Sequence, residues 1–256
     1  MKKVGIVGLG NMGYPIYKSI LSEFDIRCYD PYSKRTDIQF ESDLSKLDTD
    51  CEILIICVKP DKVSEILKQL KSPKKIISIA AGKSLKELKE FSPPGSYIVR
   101  IMPNLPLQIK EGCMGYIGDK EIYPDVQVIF QKLGLLIELS NETAIDAFTG
   151  LAGSGPAYVF SFIQALAEGG VKSGLSYSDS LKISIQTVKG SVLLLEEELK
   201  SRDAHPMELR NKVTSAGGTT IFGLDKLEEN NFNYSVMNAV FAAFKRAEEL
   251  RIGNIR

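Results

Sequence analysis

The chain has 256 residues, enough for one large or two medium domains, with 44% apolar and 25% charged residues, an ordinary globular balance. Its 32 basic residues equal its 32 acidic ones, so the formal charge is zero and nothing in the balance asks for a nucleic-acid partner. No apolar run is long enough for a membrane span, no signal-peptide pattern precedes the first apolar run, and Cys28, Cys51, Cys57 and Cys113 form neither a C-x-x-C pair nor a ligand spacing with His205, so reduced thiols of a metal-free cytoplasmic protein are expected.

The first half alternates β-rich runs with helical patterns. Strands are expected at 4–7, 26–29, 53–58, 76–80, 97–102 and 135–139. The runs at 53–56 and 76–77 are continuously apolar, as parallel strands covered on both faces should be. Residues 61–71 place Val63, Ile66, Leu67 and Leu70 on one helical face. This alternation predicts an α/β fold with an N-terminal Rossmann-type, doubly wound sheet.

The first strand runs into Gly8-Leu9-Gly10-Asn11-Met12-Gly13, a G-x-G-x-x-G followed by a helical pattern at Ile16, Ile20 and Leu21. In that context Gly8 allows the tight turn, Gly10 lets a pyrophosphate approach the backbone, and Gly13 lets helix and strand pack closely. Free N–H groups at the helix start then face the phosphates. The second strand ends at Asp30, roughly 20 residues after Gly8, where an acid accepts from a ribose 2′-OH and favours NAD(H). Ser33, Lys34 and Arg35 follow at once and suit the 2′-phosphate of NADP(H). The two signals oppose each other. Further on, Arg100-Ile101-Met102-Pro103-Asn104 closes a strand, where either a ligand loop or a plain turn belongs.

Past residue 141 strand signals stop and helical patterns cover 156–172, 178–200 and 235–250, with Pro156, Asp179 and Ser235 as start signals. An all-α second domain is expected, with the division at 1–142 and 143–256. Val192-Leu193-Leu194-Leu195 is apolar on more than one helical face, which a domain of this size cannot bury alone, so packing against a second copy is expected. Gly153-Ser154-Gly155-Pro156-Ala157 reads either as a close approach to a ligand or as a joint between domains. Residues 213–221 carry Thr214, Ser215, Gly217, Gly218, Thr219 and Thr220 at a helix start, either an anion site suited to a carboxylate or an N-cap with spare hydroxyls. His205-Pro206 opens a helix and reads as structural. No catalytic triad or carboxylate pair can be assembled.

Taken together these motifs resemble the pyrroline-5-carboxylate reductases over essentially the whole chain. The matching segments are Gly8 to Gly13, Val58-Lys59-Pro60, Ala80-Ala81-Gly82, Arg100 to Asn104, Gly153 to Val159, and above all His205-Pro206, Leu209, Val213 to Thr220, Gly223-Leu224 and Leu227-Glu228. The resemblance implies a Rossmann domain followed by a helical dimerisation domain, with homodimers that assemble further into rings. It implies an NAD(P)H-dependent imine reductase of proline biosynthesis, with NADPH usual, acting on a small cyclic imino acid. Thr220 would hydrogen-bond the ring nitrogen, while Ser215, Gly217, Gly218 and Thr219 hold the carboxylate. Gly8, Gly10, Asn11, Met12, Gly13, Asp30, Ser33, Lys34, Arg35, Val58, Lys59, Pro60, Ala81, Met102, Pro103 and Asn104 would border the cofactor. Two features depart from the family pattern. Ala216 stands where proline is usual, and residues 8–15 look closer to β-hydroxyacid dehydrogenases. A dehydrogenase of that class needs a catalytic lysine, and the helix after Gly155 offers Lys172 only at its far end. The other alternative is a non-catalytic, dinucleotide-binding regulatory paralogue.

Overall fold

The computed structural model describes residues 1–253. The expected strands appear as β1 (Lys3–Val7), β2 (Asp25–Tyr29), β3 (Ile53–Ile56), β4 (Lys75–Ser78), β5 (Tyr97–Met102) and β7 (Gly134–Glu138). They join one sheet in the order β2-β1-β3-β4-β5-β6-β7, in which every neighbouring pair is parallel except β5 with β6. The antiparallel β6 (Gly112–Gly118) has glycine at every third position, so it shows neither an apolar run nor a clean alternation, and the sequence reading missed it.

The period of two along a strand divides the core between the two faces of the sheet. Ile53, Ile55 and Ile77 belong to one hydrophobic cluster; Leu54, Ile56 and Ile76 belong to the other. Covering helices include α1 (Gly13–Ile20), α2 (Leu44–Asp50), α3 (Pro60–Gln69), α4 (Leu85–Phe91) and α5 (Tyr123–Phe130). The fold class expected from the sequence, an α/β Rossmann-type sheet followed by helices, is the one observed.

The helical remainder comprises α6 (Glu142–Phe148), running into a π-helical turn at Thr149–Gly153, then α7 (Gly155–Lys172), α8 (Tyr177–Ser201), α9 (Pro206–Lys212), α10 (Thr219–Glu229) and α11 (Phe232–Ile252). Ser176, not Asp179, caps α8: its Oγ accepts the Asp179 N–H at 3.1 Å and donates to the Asp179 carboxylate at 2.7 Å. His205 caps α9, its Nδ1 accepting the Met207 N–H at 3.2 Å. The start of α11 lies three residues before the Ser235 signal.

By their contacts, the residues form two compact units. The first is Met1–Pro156 together with the segment from Val240 onward; the second is Ala157–Ala239. Within the first unit, α11 presses its backbone at Val240 and Phe244 against Gly150, where a Cβ would have no room. The second unit has almost no apolar interior of its own. Among its described residues only Ala167 and Ala204 are buried apolar side chains, while Leu193, Leu194, Phe222 and Met237 are each more than half exposed.

At the amino-terminal end of the sheet, Asp125 on α5 receives the Lys2 ammonium at 2.6 Å and the Lys75 ammonium at 2.7 Å, fastening the starts of β1 and β4 to one helix. Burial by itself would raise the Asp125 carboxyl, but the two ammonium groups outweigh it and hold it below the usual carboxylate range. A lowered folded value means the stabilisation is complete above the unfolded carboxylate pKa and is lost as pH falls through the folded one. Asp125→Asn should therefore lose about 1–2 kcal/mol at pH 7, discounted because Lys2 is half exposed, and much less near pH 3. Urea denaturation of both proteins at the two pH values checks it; an equal loss at both would count against the ionic origin.

Candidate functional site

Strand order reverses at β1, whose neighbours β2 and β3 leave it on opposite sides, and in open α/β sheets ligands bind beyond the carboxyl ends of strands at such a point. The turn after β1 is pinned from both sides: the Gly8 N–H donates to the Tyr29 carbonyl at 2.9 Å, and the Cys57 N–H donates to the Val7 carbonyl at 2.8 Å. Gly8 has φ +92°, and a Cβ there would press on the Cys57 carbonyl. A Cβ on Gly13 would overlap the Gly8 carbonyl oxygen, so glycine at this position lets α1 close against the strand. Gly10 is different. No atom lies within 4 Å of where its Cβ would stand, and its φ is not in the left-handed region. The fold tolerates a side chain at residue 10; a ligand laid against the backbone would not.

Beyond the ends of β1, β2 and β3 lies a groove of about 510 Å³ that gathers Gly8, Gly10, Asp30, Val58 and Lys59, joined by Tyr32 and Lys62. Asp30 is tied to the glycine turn. Its Oδ2 accepts the Leu9 N–H at 2.8 Å and its Oδ1 accepts the Tyr32 N–H at 3.1 Å, which fixes the carboxylate while leaving each oxygen a free lone pair. Arg35 does not line this groove. Its guanidinium stacks 3.3 Å from the centre of the Tyr14 ring and pairs with Asp37 at 3.6 Å, while the Tyr14 hydroxyl donates to Asp37 at 3.0 Å. That hydroxyl, with Arg35 adding, holds the Asp37 carboxyl below its usual range. Arg35, Asn11 and Lys18 line a second cavity of about 630 Å³, which shares Gly10 with the groove. Ser33 Oγ accepts the Arg35 N–H at 3.3 Å, and Lys34 is exposed.

The remaining residues expected along a cofactor stand where the other strands end. Lys59 is the N-cap and Pro60 the first residue of α3. Ala81 follows β4, and Met102, half-buried against Gly153, ends β5 ahead of the buried Pro103. The Asn104 side chain is committed within the fold: its Oδ1 accepts the Cys113 N–H at 2.8 Å and its Nδ2 donates to the Ala152 carbonyl at 3.1 Å. Gln108, on the 3₁₀ turn Leu105–Ile109, donates to the Asn11 carbonyl at 3.2 Å. Sequence reasoning gave no role to Tyr14, noted only within residues 8–15, and passed over Gln108, because both act through partners distant in the chain.

In the second unit, Ser215 to Gly218 form a tight turn closed by the Gly218 N–H donating to the Ser215 carbonyl at 3.1 Å. Gly217 has φ +66°, and a Cβ on Gly218 would run into Ser215 Oγ, so the serine hydroxyl lies folded over the start of α10. Among the described residues no side chain caps α10. The first-turn N–H groups of a helix have no intrahelical partner, so Thr219 and Thr220 offer free donors beside hydroxyl groups. Thr214 differs, its hydroxyl donating to the Arg210 carbonyl at 2.7 Å.

Burial pushes the Cys28 thiol up to about 12 and the Cys51 thiol up to about 11, so both stay protonated and unreactive. No group of acidic, cysteine or histidine side chains suited to a metal ion occurs among the described residues, and none of their helices is long and apolar enough to cross a membrane.

A family profile described as pyrroline-5-carboxylate reductase dimerisation matches residues 142–250, and one described as coenzyme F420-dependent NADP oxidoreductase matches residues 3–82. The pyrroline-5-carboxylate reductase of Aquifex aeolicus is 37% identical over 97% of each chain. The solved pyrroline carboxylate reductase of Plasmodium falciparum with NADP bound superposes with a TM-score of 0.87 at 35% identity, over 98% of each chain. That of Streptococcus pyogenes gives a TM-score of 0.85 at 31% identity, over 96% of this chain and 98% of the other. With identity of this order over nearly the whole length of each relative, the chain belongs to the pyrroline-5-carboxylate reductase family.

Proposed function

We propose that the chain reduces 1-pyrroline-5-carboxylate to L-proline with a nicotinamide dinucleotide, as an enzyme of proline biosynthesis. The observation that carries the dinucleotide half of this reading is Gly10, a glycine that the fold leaves room to replace but a pyrophosphate would need. The bound dinucleotide supplies the hydride. Gly8 to Gly13 hold the pyrophosphate, with Val58, Lys59, Pro60, Ala81, Met102, Pro103 and Asn104 along the rest of the cofactor.

Ser215, Gly217, Gly218 and Thr219 hold the substrate carboxylate through the donors at the start of α10. Thr220 Oγ1 orients the ring nitrogen. A threonine hydroxyl is a poor acid near neutrality, so Thr220 positions a nitrogen that arrives protonated rather than supplying the proton, and the protein contributes chiefly alignment of two reactants. A β-hydroxyacid dehydrogenase mechanism finds less support, since Lys172 is the last residue of α7 and exposed.

The reductase is proposed to favour NADH over NADPH. Two backbone N–H groups hold Asp30 in the groove, where its charge would oppose a 2′-phosphate, and the guanidinium able to neutralise that phosphate is stacked on Tyr14 and paired with Asp37. The functional division at 1–142 and 143–256 separates cofactor and substrate modules. The exposed Leu193, Leu194, Phe222 and Met237 support a homodimer whose second copy covers the helical half; rings of such dimers, in the cytoplasm, are the expected assembly.

Gly10→Ala should leave the melting temperature within about 2 °C of the parent and raise the dinucleotide Kd at least about tenfold by calorimetry; unchanged binding would remove Gly10 from the cofactor wall. Oxidation of NADH and NADPH compared side by side with 1-pyrroline-5-carboxylate should give a kcat/KM ratio of about ten or more in favour of NADH; parity or the reverse ratio defeats the preference, and silence with both cofactors defeats the reaction. Thr220→Ala should lower kcat about 10- to 100-fold while the dinucleotide Kd holds, and full turnover would refute the role of the hydroxyl.

A further inference from the structure

Four charged side chains cluster where β4 and β5 end, and nothing in the proposed reaction uses them. Arg100 on β5 stands level with Ser78, the last residue of β4, and its side chain is only 4% exposed. Its guanidinium donates to Glu142 Oε1 at 2.6 Å. One turn further along α6, Asp146, itself 3% exposed, accepts from Arg251 Nε at 2.6 Å. Burial raises the Asp146 carboxyl and lowers the Arg100 guanidinium, each partly offset by its partner. Arg100 Nε is buried without a partner among the described residues. Apolar side chains would fill such a place at lower cost, so a buried ionic cluster points to geometry rather than to stability alone.

What the cluster holds is the loop between β4 and α4, which carries Ala81. The same Glu142 Oε1 that takes Arg100 also accepts the Leu85 N–H at 2.8 Å, gripping the loop where α4 begins. Three residues before Leu85 the loop turns through Gly82, with φ +69°, and the Gly82 Cα faces Leu250 so closely that a Cβ would stand 3.3 Å from Leu250 Cβ. Leu250 is fixed by its neighbour Arg251, anchored to Asp146. The part of the loop that follows Ala81 is therefore held at two points, by α6 and by the last turn of α11, two elements far away in sequence. Arg100 is also two residues before Met102, so one side chain is linked to both cofactor-side loops.

We infer that Arg251 and Asp146, with Arg100 and Glu142, are positioning residues for the dinucleotide: the C-terminal turn of α11 buttresses the Ala81 loop as a wall for the cofactor. This rests on the reading that Ala81 borders the dinucleotide. Such a role differs from plain bracing in what it changes. A brace lowers the melting temperature and the active fraction together, whereas a buttress alters affinity for one ligand in protein that remains folded.

The experiment measures dinucleotide Kd by calorimetry without substrate, melting temperature, and KM for each substrate, in Arg251→Ala, Arg251→Lys, Asp146→Asn and Glu142→Gln. Arg251→Ala should raise Kd and KM for NADH about tenfold and leave KM for the imino acid within about twofold. Arg251→Lys should recover at least half of the loss, because an ammonium still pairs with Asp146. Glu142→Gln should do less than Arg251→Ala, since its carbonyl can still accept from Leu85. If Arg251→Ala unfolds, Leu250→Ala tests the same contact without exposing a charge. Unchanged Kd in folded Arg251→Ala and Asp146→Asn, with lowered melting temperatures, would overturn the inference. Failure of the parent to bind NADH or NADPH would instead overturn the dinucleotide reading on which it rests.

Discussion

The chain passes β1 twice, once to lay β2 on one side and once to lay β3 on the other, and the groove beyond the strand ends exists because of that reversal. With the same side taken both times, a connection would cover the end of β1. Because the sides differ, the turn at Gly8 is held by a hydrogen bond from each neighbour and the start of α1 is left facing open space. Parallel strands permit this arrangement only when both faces are covered, which is why β3 has to be four consecutive buried aliphatic residues. The apolar runs and the glycine turn are thus two consequences of a single topological requirement. The Asp30 carboxylate, by accepting from Leu9, joins them: the end of β2 fixes the shape of the loop that follows β1.

This requirement also explains which parts of the structure were legible in the sequence. Strands in the parallel half announce themselves because burial on both faces forces unbroken aliphatic runs, and β5 was delimited to the residue. β6 was invisible because its packing demands glycine rather than bulk. Close approach by Leu107, Leu139 and Phe148 at Gly112 and Gly115 is a tertiary fact with no local signature. Helix starts were mislocated where two candidate caps lay close together. Ser176 and Asp179 form one box, and propensity cannot say which member is the cap and which its reciprocal partner.

Motif spacing served the candidate site well for position and poorly for orientation. Asp30 was found from its distance to Gly8, but its bonds to Leu9 and Tyr32 could not be. The run Ser33-Lys34-Arg35 looks like a phosphate clamp in sequence, yet the direction of Arg35 is decided by Tyr14 and Asp37, which spacing does not connect to it. Asn104 appears in the sequence as a ligand-loop residue, while its amide is occupied at both ends by the backbone. Side-chain direction depends on partners brought in by the fold, so a list of residue types at correct intervals identifies a wall of the groove without saying which groups face it.

The second unit raises the converse problem, a sequence whose local pattern is clear and whose burial is not. Its helices are regular, and α8 and α9 carry side-chain caps, but Ala167 and Ala204 are nearly all the apolar bulk they enclose among the described residues. Helix propensity supports only fractions of a kcal/mol per residue, and most helical stability in proteins comes from packing an apolar face. Large side chains such as Phe222, Met237 and Leu194 left more than half exposed withhold that contribution from a lone chain. The missing apolar contact has to come from outside the unit, and a second copy of the chain meets the need with the sequence already present. On this reading the dimer supplies the apolar contact that the helices of the second unit lack in a lone chain.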